Sequence, residues 1–268
     1  LRLGGANAWS GLTIDSKNGI LFAPTGSVSY DFYGGDRKGD NLFANSILAI
    51  NAESGERLWH YQTVHHDVWD RDLPAPPVIF NYKLKDSVIP ALAQVTKSGY
   101  TFLLNRITGE PIYDIVERTV PSISSLAGEK LSKTQPTPIF PKPFSRQYLS
   151  NSDINPFVSE KEKDSLTKVY LSIIKDDIFS PPSEKGTLIF PGFDGGAEWG
   201  GPALDPIKNM LYVNSNEMPW ILTMRKISEN DSKPVSLYNK QCLMCHGVDF
   251  KGSGENPSII DMNKKYNY

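Results

Sequence analysis

The sequence predicts an all-β fold of short antiparallel strands arranged as a β-propeller. Glycine and proline (21 and 20 residues) make up 41 of the 268 residues, which favours many short elements joined by turns over a few long helices. Sequence units that contain glycine and aromatic residues recur along the chain, a pattern typical of propeller blades. The hydrophobic content of 39% is sufficient for a sizeable core.

Two β-hairpins are predicted from matching orders of strand, turn and strand. Residues 47–62 combine an apolar strand, an Asx/Gly turn and an alternating strand that ends on aromatic residues. Residues 101–113 repeat this order around a Thr108-Gly109 turn. The two matches predict repeated sheet units.

A longer self-similarity relates the segment around Trp9 to the segment around Trp199. The offset is 199 − 9 = 190 for this pair and 205 − 15 = 190 for Asp15 and Asp205. Each copy continues through a polar turn into an apolar strand. An offset of 190 corresponds to about four blades of roughly 40 to 50 residues, which predicts a propeller. An open sandwich with chance similarity is the alternative.

The chain is predicted to contain a propeller part, a linker and a second module. Residues 1–225 form the partial propeller, within which 121–185 carry proline-rich pieces and are expected to be an irregular insertion. The charged run 160–164 is predicted to be the start of a solvated helix. Residues 226–235 are polar without apolar periodicity and predict a linker. Residues 236–268 are too few for a domain of their own.

The composition argues against several classes of protein. With 28 basic and 30 acidic residues the formal charge is −2, whereas nucleic-acid binders usually show a strong basic excess. The aromatic content of 11% argues against a disordered chain. No stretch approaches the ~20 apolar residues that cross a bilayer, so any membrane association must come from outside this segment. The start of the sequence, which lacks Met, leads us to expect a fragment of a longer chain.

The most specific motif is Cys242-Leu243-Met244-Cys245-His246, which contains both cysteines of the chain. C-x-x-C-H is the pattern of c-type haem attachment, in which two thiols bind the haem vinyl groups and the histidine ligates the iron. A redox dithiol, half of a zinc site and coincidence are the alternatives. The βαβ pattern of a thioredoxin-like protein is absent, and no further cysteine is available for zinc. The motif therefore predicts covalently bound haem c.

The sequence around this motif resembles the opening of a small class I cytochrome c module. Only 268 − 246 = 22 residues follow His246. Such modules usually supply a Met ligand from far downstream, and Met262 lies too close in sequence. We therefore expect a truncated α-helical cytochrome c module whose distal ligand is not part of this sequence.

Charged residues are concentrated in the run from His65 to Asp72, directly after a predicted strand. It holds three carboxylates, two imidazoles and an arginine, and loops at strand ends are where such scaffolds carry functional groups. A charged surface turn is the alternative. Together with residues 34–45 and 93–100, this run resembles the pyrroloquinoline quinone (PQQ)-dependent dehydrogenases, especially their glucose-dehydrogenase-like branch with a C-terminal cytochrome c.

The resemblance implies an eight-bladed propeller that holds PQQ and a divalent cation, usually Ca²⁺, and oxidises the CH–OH group of an alcohol or sugar. It assigns the role of general base to Asp70 and the cation at the quinone oxygen to Lys97. Trp9 falls on the aromatic residue that stacks on the cofactor, although packing between blades is an alternative role. Its repeat partner Trp199 and the neighbouring Glu198 are assigned to the surroundings of the cofactor.

The metal shell implied by the resemblance departs from the family pattern. Ser27 stands where alcohol-oxidising members carry a metal-ligating Asn, and a hydroxyl is a poorer Ca²⁺ ligand than an amide carbonyl. Asp70 and Asp72 are the implied carboxylate ligands, although Asp72 is equally explained as a solvated loop acid. Glu198 replaces an Asn that often faces PQQ, so it would either repel the cofactor or join the cation site. The Glu that completes the shell is expected upstream of Leu1.

The resulting hypothesis is a periplasmic quinohaemoprotein dehydrogenase. Electrons from the substrate would pass through PQQ to haem c and then to a quinone or cytochrome acceptor. His65 and His66 are expected to orient or cap neighbouring groups, because a PQQ site uses hard oxygen ligands. The alternatives are a non-catalytic propeller that carries a haem for electron relay and a dithiol reductase.

Overall fold

The computed structural model describes residues 4–226, 237–239, 241–252 and 256–262. The chain separates into two compact units, Leu1–Met224 and Arg225–Tyr268. In the described part of the first unit the strands form five antiparallel sheets. The strands are β1 (Thr13–Asp15), β2 (Ile20–Pro24), β3 (Ser46–Asn51), β4 (Arg57–Gln62), β5 (Val78–Leu84), β6 (Ser87–Val95), β7 (Thr101–Asn105), β8 (Ile115–Thr119), β9 (Thr134–Pro138), β10 (Thr187–Ile189), β11 (Pro202–Asp205), β12 (Met210–Val213) and β13 (Trp220–Leu222).

The first four strands form a four-stranded antiparallel meander in the order β1-β2-β3-β4. Alternate residues of its inner strands are fully buried, including Phe22 on β2 and Ile47 and Ala49 on β3, as expected where every second side chain faces the core. They pack in one cluster with Leu92 of β6 and Leu104 of β7. The sheet β5-β6-β7 therefore packs against this meander through a shared apolar core.

The two copies of the 190-residue repeat form the same hairpin in the same register. Thr13 pairs with Phe22 in β1–β2, and Ala203 pairs with Tyr212 in β11–β12. Both members of the second pair lie 190 positions after those of the first. The left-handed turn residue also recurs, as Gly19 at φ 65° and Asn209 at φ 52°. The structure thus confirms the self-similarity.

Of the two predicted hairpins, β3–β4 is complete, whereas the second is shorter than expected. After β7 the returning chain makes a single bridge between Leu104 and Pro111. The Gly109 turn has φ 79°, and a Cβ there would lie 2.7 Å from the Trp59 ring. The indole Nε1 of Trp59 donates to Arg106 O at 3.2 Å. The second turn therefore requires glycine because the first hairpin packs directly against it.

Prolines in the segment 121–185 were expected to keep it irregular, yet Pro136 and Pro138 lie inside β9. The hydrogen bonds from Ile139 N to Asp114 O and from Val120 N to Lys133 O, both 3.1 Å, define the register with β8. In this register both proline nitrogens occupy non-hydrogen-bonded positions that face away from β8. A strand tolerates proline there, since no ladder hydrogen bond is lost.

The charged run 160–164 begins a solvated helix, as predicted. Helix α1 spans Glu160–Ser172 and contains no buried residue. Ser159 and Glu162 form a reciprocal capping box at its start. An exposed i,i+4 ion pair joins Lys168 to Asp164 at 2.6 Å, so this helix is stabilised locally rather than by a buried face.

The fold is mostly β, and its described sheets do not close into a ring. They comprise one sheet of four strands, one of three and three of two. The eight blades implied by the resemblance therefore stay a prediction. In the described parts of the chain, no helix has the length and apolar character needed to cross a membrane.

In the second unit, a short helix α2 (Leu243–His246) carries the cysteine motif. Cys242 precedes it, and Gly247 at φ 72° ends it. The predicted linker 226–235 lies outside the described residues except for Lys226, and the predicted module 236–268 is described only in part.

Candidate active site

The predicted catalytic and metal-binding residues of the first unit meet at one end of the sheets. Ser27 follows β2, Asp70 and Asp72 lie in the loop after β4, and Lys97 lies in the turn between β6 and β7. In an antiparallel meander alternate strands end on the same side. Ser27 and the loop after β4 therefore lie at the same end of the first sheet, and packing of the β5-β6-β7 sheet against it brings Lys97, 70 residues after Ser27 (97 − 27), to the same place.

Lys97 forms ion pairs with both loop carboxylates. Its Nζ lies 3.1 Å from Asp70 Oδ2 and 3.4 Å from Asp72 Oδ2. The Lys97 side chain is 8% exposed, against 22% for Asp70 and 14% for Asp72. A cation and two carboxylates therefore lie together in a mostly desolvated environment, where charge interactions are stronger than in water.

Ser27 hydrogen-bonds both carboxylates, and Trp9 lies beside it. The Ser27 Oγ donates to Asp72 Oδ1 at 2.8 Å and faces Asp70 Oδ1 at 3.2 Å, while its backbone N–H also donates to Asp72. A Cβ on Gly26 would lie 2.5 Å from Asp72 Oδ1 and 3.1 Å from Trp9 Nε1. Trp9 is 44% exposed. The absence of a side chain at position 26 thus lets an accessible indole approach the acidic cluster.

The two carboxylates have pKa values shifted in opposite directions. Burial raises the pKa of Asp70 to about 8, the negative charges of Asp72 and Asp67 act in the same sense, and Lys97 opposes them. Burial also disfavours the charged form of Asp72, but Lys97 and the hydrogen bonds from Ser27 hold the pKa of Asp72 below its ordinary value. Separated pKa values on adjacent acids suit one of them to proton transfer.

Glu198 and Asp31 add further negative charge around Lys97. Burial raises the pKa of Glu198, while the positive charge of Lys97 lowers it. Although Asp31 is exposed, partial desolvation and the charge of Asp72 raise the pKa of Asp31, and Lys97 opposes this shift. Sequence reasoning missed Asp31, because no motif marks it. By contrast, the Trp199 side chain is 76% exposed and, within residues 4–226, stacks on no other ring.

A buried carboxylate holds the loop that presents Asp70. Asp67 Oδ1 accepts from Trp69 N at 2.8 Å, and its Oδ2 accepts from Arg71 N at 2.7 Å and from Asn45 Nδ2 at 2.8 Å. Asp70 itself has φ 57°, a left-handed conformation that is uncommon for a non-glycine residue. The bonds to Asp67 on either side of Asp70 maintain this conformation.

Arg71 anchors the same loop from below, a role that sequence reasoning also missed. The side chain is fully buried, and its Nη1 donates to Pro191 O at 2.6 Å and to Lys97 O at 3.4 Å. The neighbouring Trp69 is equally buried, with its Nε1 bonded to Ser180 O at 2.8 Å. The loop around Asp70 is therefore attached to three distant chain segments, at Lys97, Ser180 and Pro191.

His65 and His66 each contact a glutamate. The Nε2 atoms lie 3.2 Å from Glu117 and 3.2 Å from Glu129, respectively. Among the described residues, no three His, Cys, Asp or Glu side chains form a metal site by themselves. In this structure both ring nitrogens of each histidine contact oxygen atoms of neighbouring residues.

In the second unit the cysteine motif lies on one helical turn. Cys242 is half-buried, and Cys245 is exposed. His246 N donates to Cys242 O at 2.9 Å, which places the three motif side chains next to one another. The Nδ1 of His246 lies 2.9 Å from Pro257 O. Since a carbonyl oxygen only accepts, Nδ1 carries the proton, and Nε2 keeps the lone pair with which an imidazole binds iron.

The sequence was compared with known protein families. Residues 1–251 match the profile described as PQQ: glucose/ethanol/alcohol dehydrogenase, beta-propeller domain. This chain belongs to that family. Family membership confirms the resemblance drawn from the sequence motifs.

Individual relatives agree with this membership. Quinoprotein glucose dehydrogenase A of Acinetobacter calcoaceticus is 37% identical over 229 residues, which cover 80% of this chain and 27% of that protein. Quinate/shikimate dehydrogenase (quinone) of Acinetobacter baylyi is 33% identical over 231 residues, which cover 84% of this chain and 28% of that protein. The chain thus spans little more than a quarter of the length of these relatives.

A solved structure supports the fold. Quinohemoprotein alcohol dehydrogenase from Comamonas testosteroni superposes with a TM-score of 0.53 at 21% identity, covering 82% of this chain and 27% of that one. The similarity shows a propeller-type fold for the described sheets.

The described residues fit the cofactors that the family implies. Oxygen ligands suit Ca²⁺, and Ser27, Asp70 and Asp72 bring a hydroxyl and two carboxylates together. Lys97 supplies a buried cation for an anionic quinone, and the accessible indole of Trp9 supplies an aromatic face. The chemistry of this set therefore matches a quinone and a divalent cation.

Proposed function

We propose that this chain forms part of a dehydrogenase that oxidises the CH–OH group of an alcohol or sugar. When bound, PQQ supplies the acceptor for the hydride of the substrate, and Ca²⁺ supplies a Lewis acid. The observation that carries the proposal is the buried contact between Asp70, Asp72 and Lys97 at the strand ends. The glucose and quinate dehydrogenase relatives support a polyhydroxylated substrate.

Asp70 is proposed to accept the hydroxyl proton of the substrate. Its pKa, raised to about 8, makes the deprotonated carboxylate a stronger base than an ordinary aspartate, and this base form predominates at pH above that value. Lys97, bonded to the same carboxylate, would hold it in position and stabilise negative charge that develops nearby. Asp72 keeps a lowered pKa and so remains an anion that can ligate the cation.

Trp9, Ser27 and Glu198 are proposed to surround the cofactor. The indole of Trp9 would stack on the quinone, and Ser27 would contribute its hydroxyl to the cation shell. Glu198 interacts with the positive charge of Lys97. This supports a role for Glu198 in the divalent-cation site rather than next to the carboxylates of PQQ. We retain Trp199 as a prediction for the cofactor site, although its side chain is largely exposed.

We also propose that Cys242 and Cys245 attach haem c and that His246 ligates its iron. When bound, the haem supplies a one-electron acceptor. The hydrogen bond from His246 to Pro257 supports this role because it leaves Nε2 free to ligate. A quinone or a cytochrome would accept the electrons next, and the periplasm is the proposed compartment because haem c attachment and PQQ enzymes belong outside the bacterial cytoplasm.

Asp70→Asn in the PQQ-loaded enzyme tests the proposed base. Turnover with an artificial electron acceptor should fall by about 10² or more, since the amide cannot accept the proton. Asp86→Asn, in the exposed β5–β6 turn at the opposite end of the sheet, is the matched control and should keep full turnover. Equal turnover of wild type and Asp70→Asn would remove Asp70 from the mechanism.

A further inference from the structure

A buried ion pair joins the segment 121–185 to the loop that carries Asp70. The Nε2 of His66 lies 3.2 Å from Glu129 Oε1, with side-chain exposures of 2% and 0%. The second carboxylate oxygen of Glu129 accepts from Gly34 N at 2.7 Å. One glutamate therefore connects two other segments of the chain.

Both nitrogens of the His66 ring face acceptors. Nδ1 lies 2.7 Å from the carbonyl oxygen of Gly39, and Nε2 faces the carboxylate of Glu129. A carbonyl oxygen and a carboxylate only accept hydrogen bonds. Both ring nitrogens are therefore protonated, and the residue is an imidazolium held by a buried anion.

The ion pair between His66 and Glu129 is closely packed. A Cβ on Gly34 would lie 2.5 Å from His66 Nε2 and 3.0 Å from Glu129 Oε1. Tyr33 also ties down the segment that carries Glu129, because its hydroxyl donates to Ala127 O at 2.6 Å. The contact is thus part of a packed interface rather than a flexible surface bridge.

The pair acts on the start of the loop that bears Asp70. His66 has a left-handed backbone (φ 46°) and directly precedes Asp67, whose carboxylate holds the main chain on both sides of Asp70. A left-handed conformation in a non-glycine residue is maintained only by its surroundings. The side-chain bonds of His66 to Gly39 and Glu129 supply that constraint.

We infer that Glu129 is a positioning residue for the dehydrogenase reaction: through His66 it holds the loop that presents Asp70 and Asp72 to the substrate. The inference rests on the proposed function. It also gives the segment 121–185, which the sequence analysis left without chemistry, a part in the active site.

The charges around the His66 imidazolium determine the pH range in which the His66–Glu129 ion pair persists. The groups that face His66 are Glu129 from one segment and Arg37 from another, and Arg37 is in turn faced by Asp67 and Asp31. Burial opposes the charge on His66, but the hydrogen bonds to Glu129 and to the carbonyl of Gly39 raise the pKa of His66 above its ordinary value. The stabilisation is therefore present below the ordinary histidine pKa and is lost as the pH rises through the raised one.

The neighbouring residue offers a matched control. His65 makes a contact of the same length, 3.2 Å, with Glu117, but this glutamate is 53% exposed. The experiment compares Glu129→Gln with Glu117→Gln in the PQQ-loaded enzyme and measures kcat, KM and denaturant unfolding across pH. Glu129→Gln should lower kcat by about 10- to 100-fold with little change in KM, and Glu117→Gln should leave both unchanged.

The pH profile separates positioning from a general loss of stability. The ratio of wild-type kcat to Glu129→Gln kcat should be largest near about pH 6 and should approach one at higher pH, where His66 loses its proton. If Glu129→Gln does not fold, Gly34→Ala displaces the same imidazole from Glu129 and should show the same trend. A ratio that does not depend on pH, or a Glu129→Gln variant equal to wild type, would overturn the inference. A wild-type enzyme without PQQ-dependent turnover would overturn the proposed function instead.

Discussion

Asp67→Asn should destabilise the loop that carries Asp70, although the two side chains have nearly the same size and shape. The Asp67 carboxylate is completely buried and accepts three hydrogen bonds, one at Oδ1 and two at Oδ2. An asparagine offers a single acceptor oxygen, so at least one N–H donor loses its partner and faces an NH₂ group. Hydrogen bonds to charged groups contribute about 1.5–3 kcal/mol each. We therefore expect the free energy of unfolding to fall by roughly 3 kcal/mol.

The same substitution should reduce catalysis, because the bonds to Asp67 from Trp69 N and Arg71 N flank the left-handed residue Asp70. A misplacement of about 1 Å costs about 10² in rate. The assays are denaturant midpoints and turnover with an artificial acceptor, with Asp36→Asn as the control because Asp36 is exposed. An Asp67→Asn enzyme with the wild-type midpoint and kcat would refute this account of the loop.

Three further predictions concern the 190-residue repeat, the proposed PQQ site and the cysteine motif. Burial opposes ionisation of Asp15, but its bonds to Asn18 and Arg106 hold the pKa of Asp15 below its ordinary value. Asp15→Asn should therefore lower the free energy of unfolding by about 2 kcal/mol at neutral pH, and this loss should shrink as the pH falls through the lowered pKa. Asp205→Asn, at the equivalent position of the repeat, should cost less. Gly26→Ala should weaken PQQ binding, followed by fluorescence titration, by about tenfold, because its Cβ meets the carboxylate of Asp72 at 2.5 Å. Cys245→Ser should abolish the haem-stained band on a denaturing gel.

The strand ends of the active site were predictable from local patterns. Turn chemistry placed the β3–β4 hairpin, the 190-residue offset placed two equivalent hairpins, and the family resemblance of the charged run after β4 assigned the role of Asp70. Such signals can be recognised in a single sequence because they are either local or repeated along the chain. Meander connectivity explains why Ser27 and Asp70 lie at the same end of the first sheet, whereas the position of Lys97 depends on how the second sheet packs against it.

The supporting residues were not predictable, because their roles depend on contacts between distant segments. Glu129 reaches His66 across 63 positions and Arg71 reaches Pro191 across 120, and the local sequence marks neither partner. The prolines of β9 misled the prediction for another reason. Only the register with β8 shows that Pro136 and Pro138 occupy positions where no hydrogen bond is required.

The central proposal is that the site formed by Trp9, Asp70 and Lys97 binds a quinone that takes electrons from a hydroxylated substrate. The most direct measurement is the amount of PQQ released by denaturing the enzyme after incubation with PQQ and Ca²⁺ and removal of the excess. We expect PQQ equimolar with the wild-type protein and a markedly lower content in Lys97→Met. Protein that retains no PQQ under these conditions would contradict it.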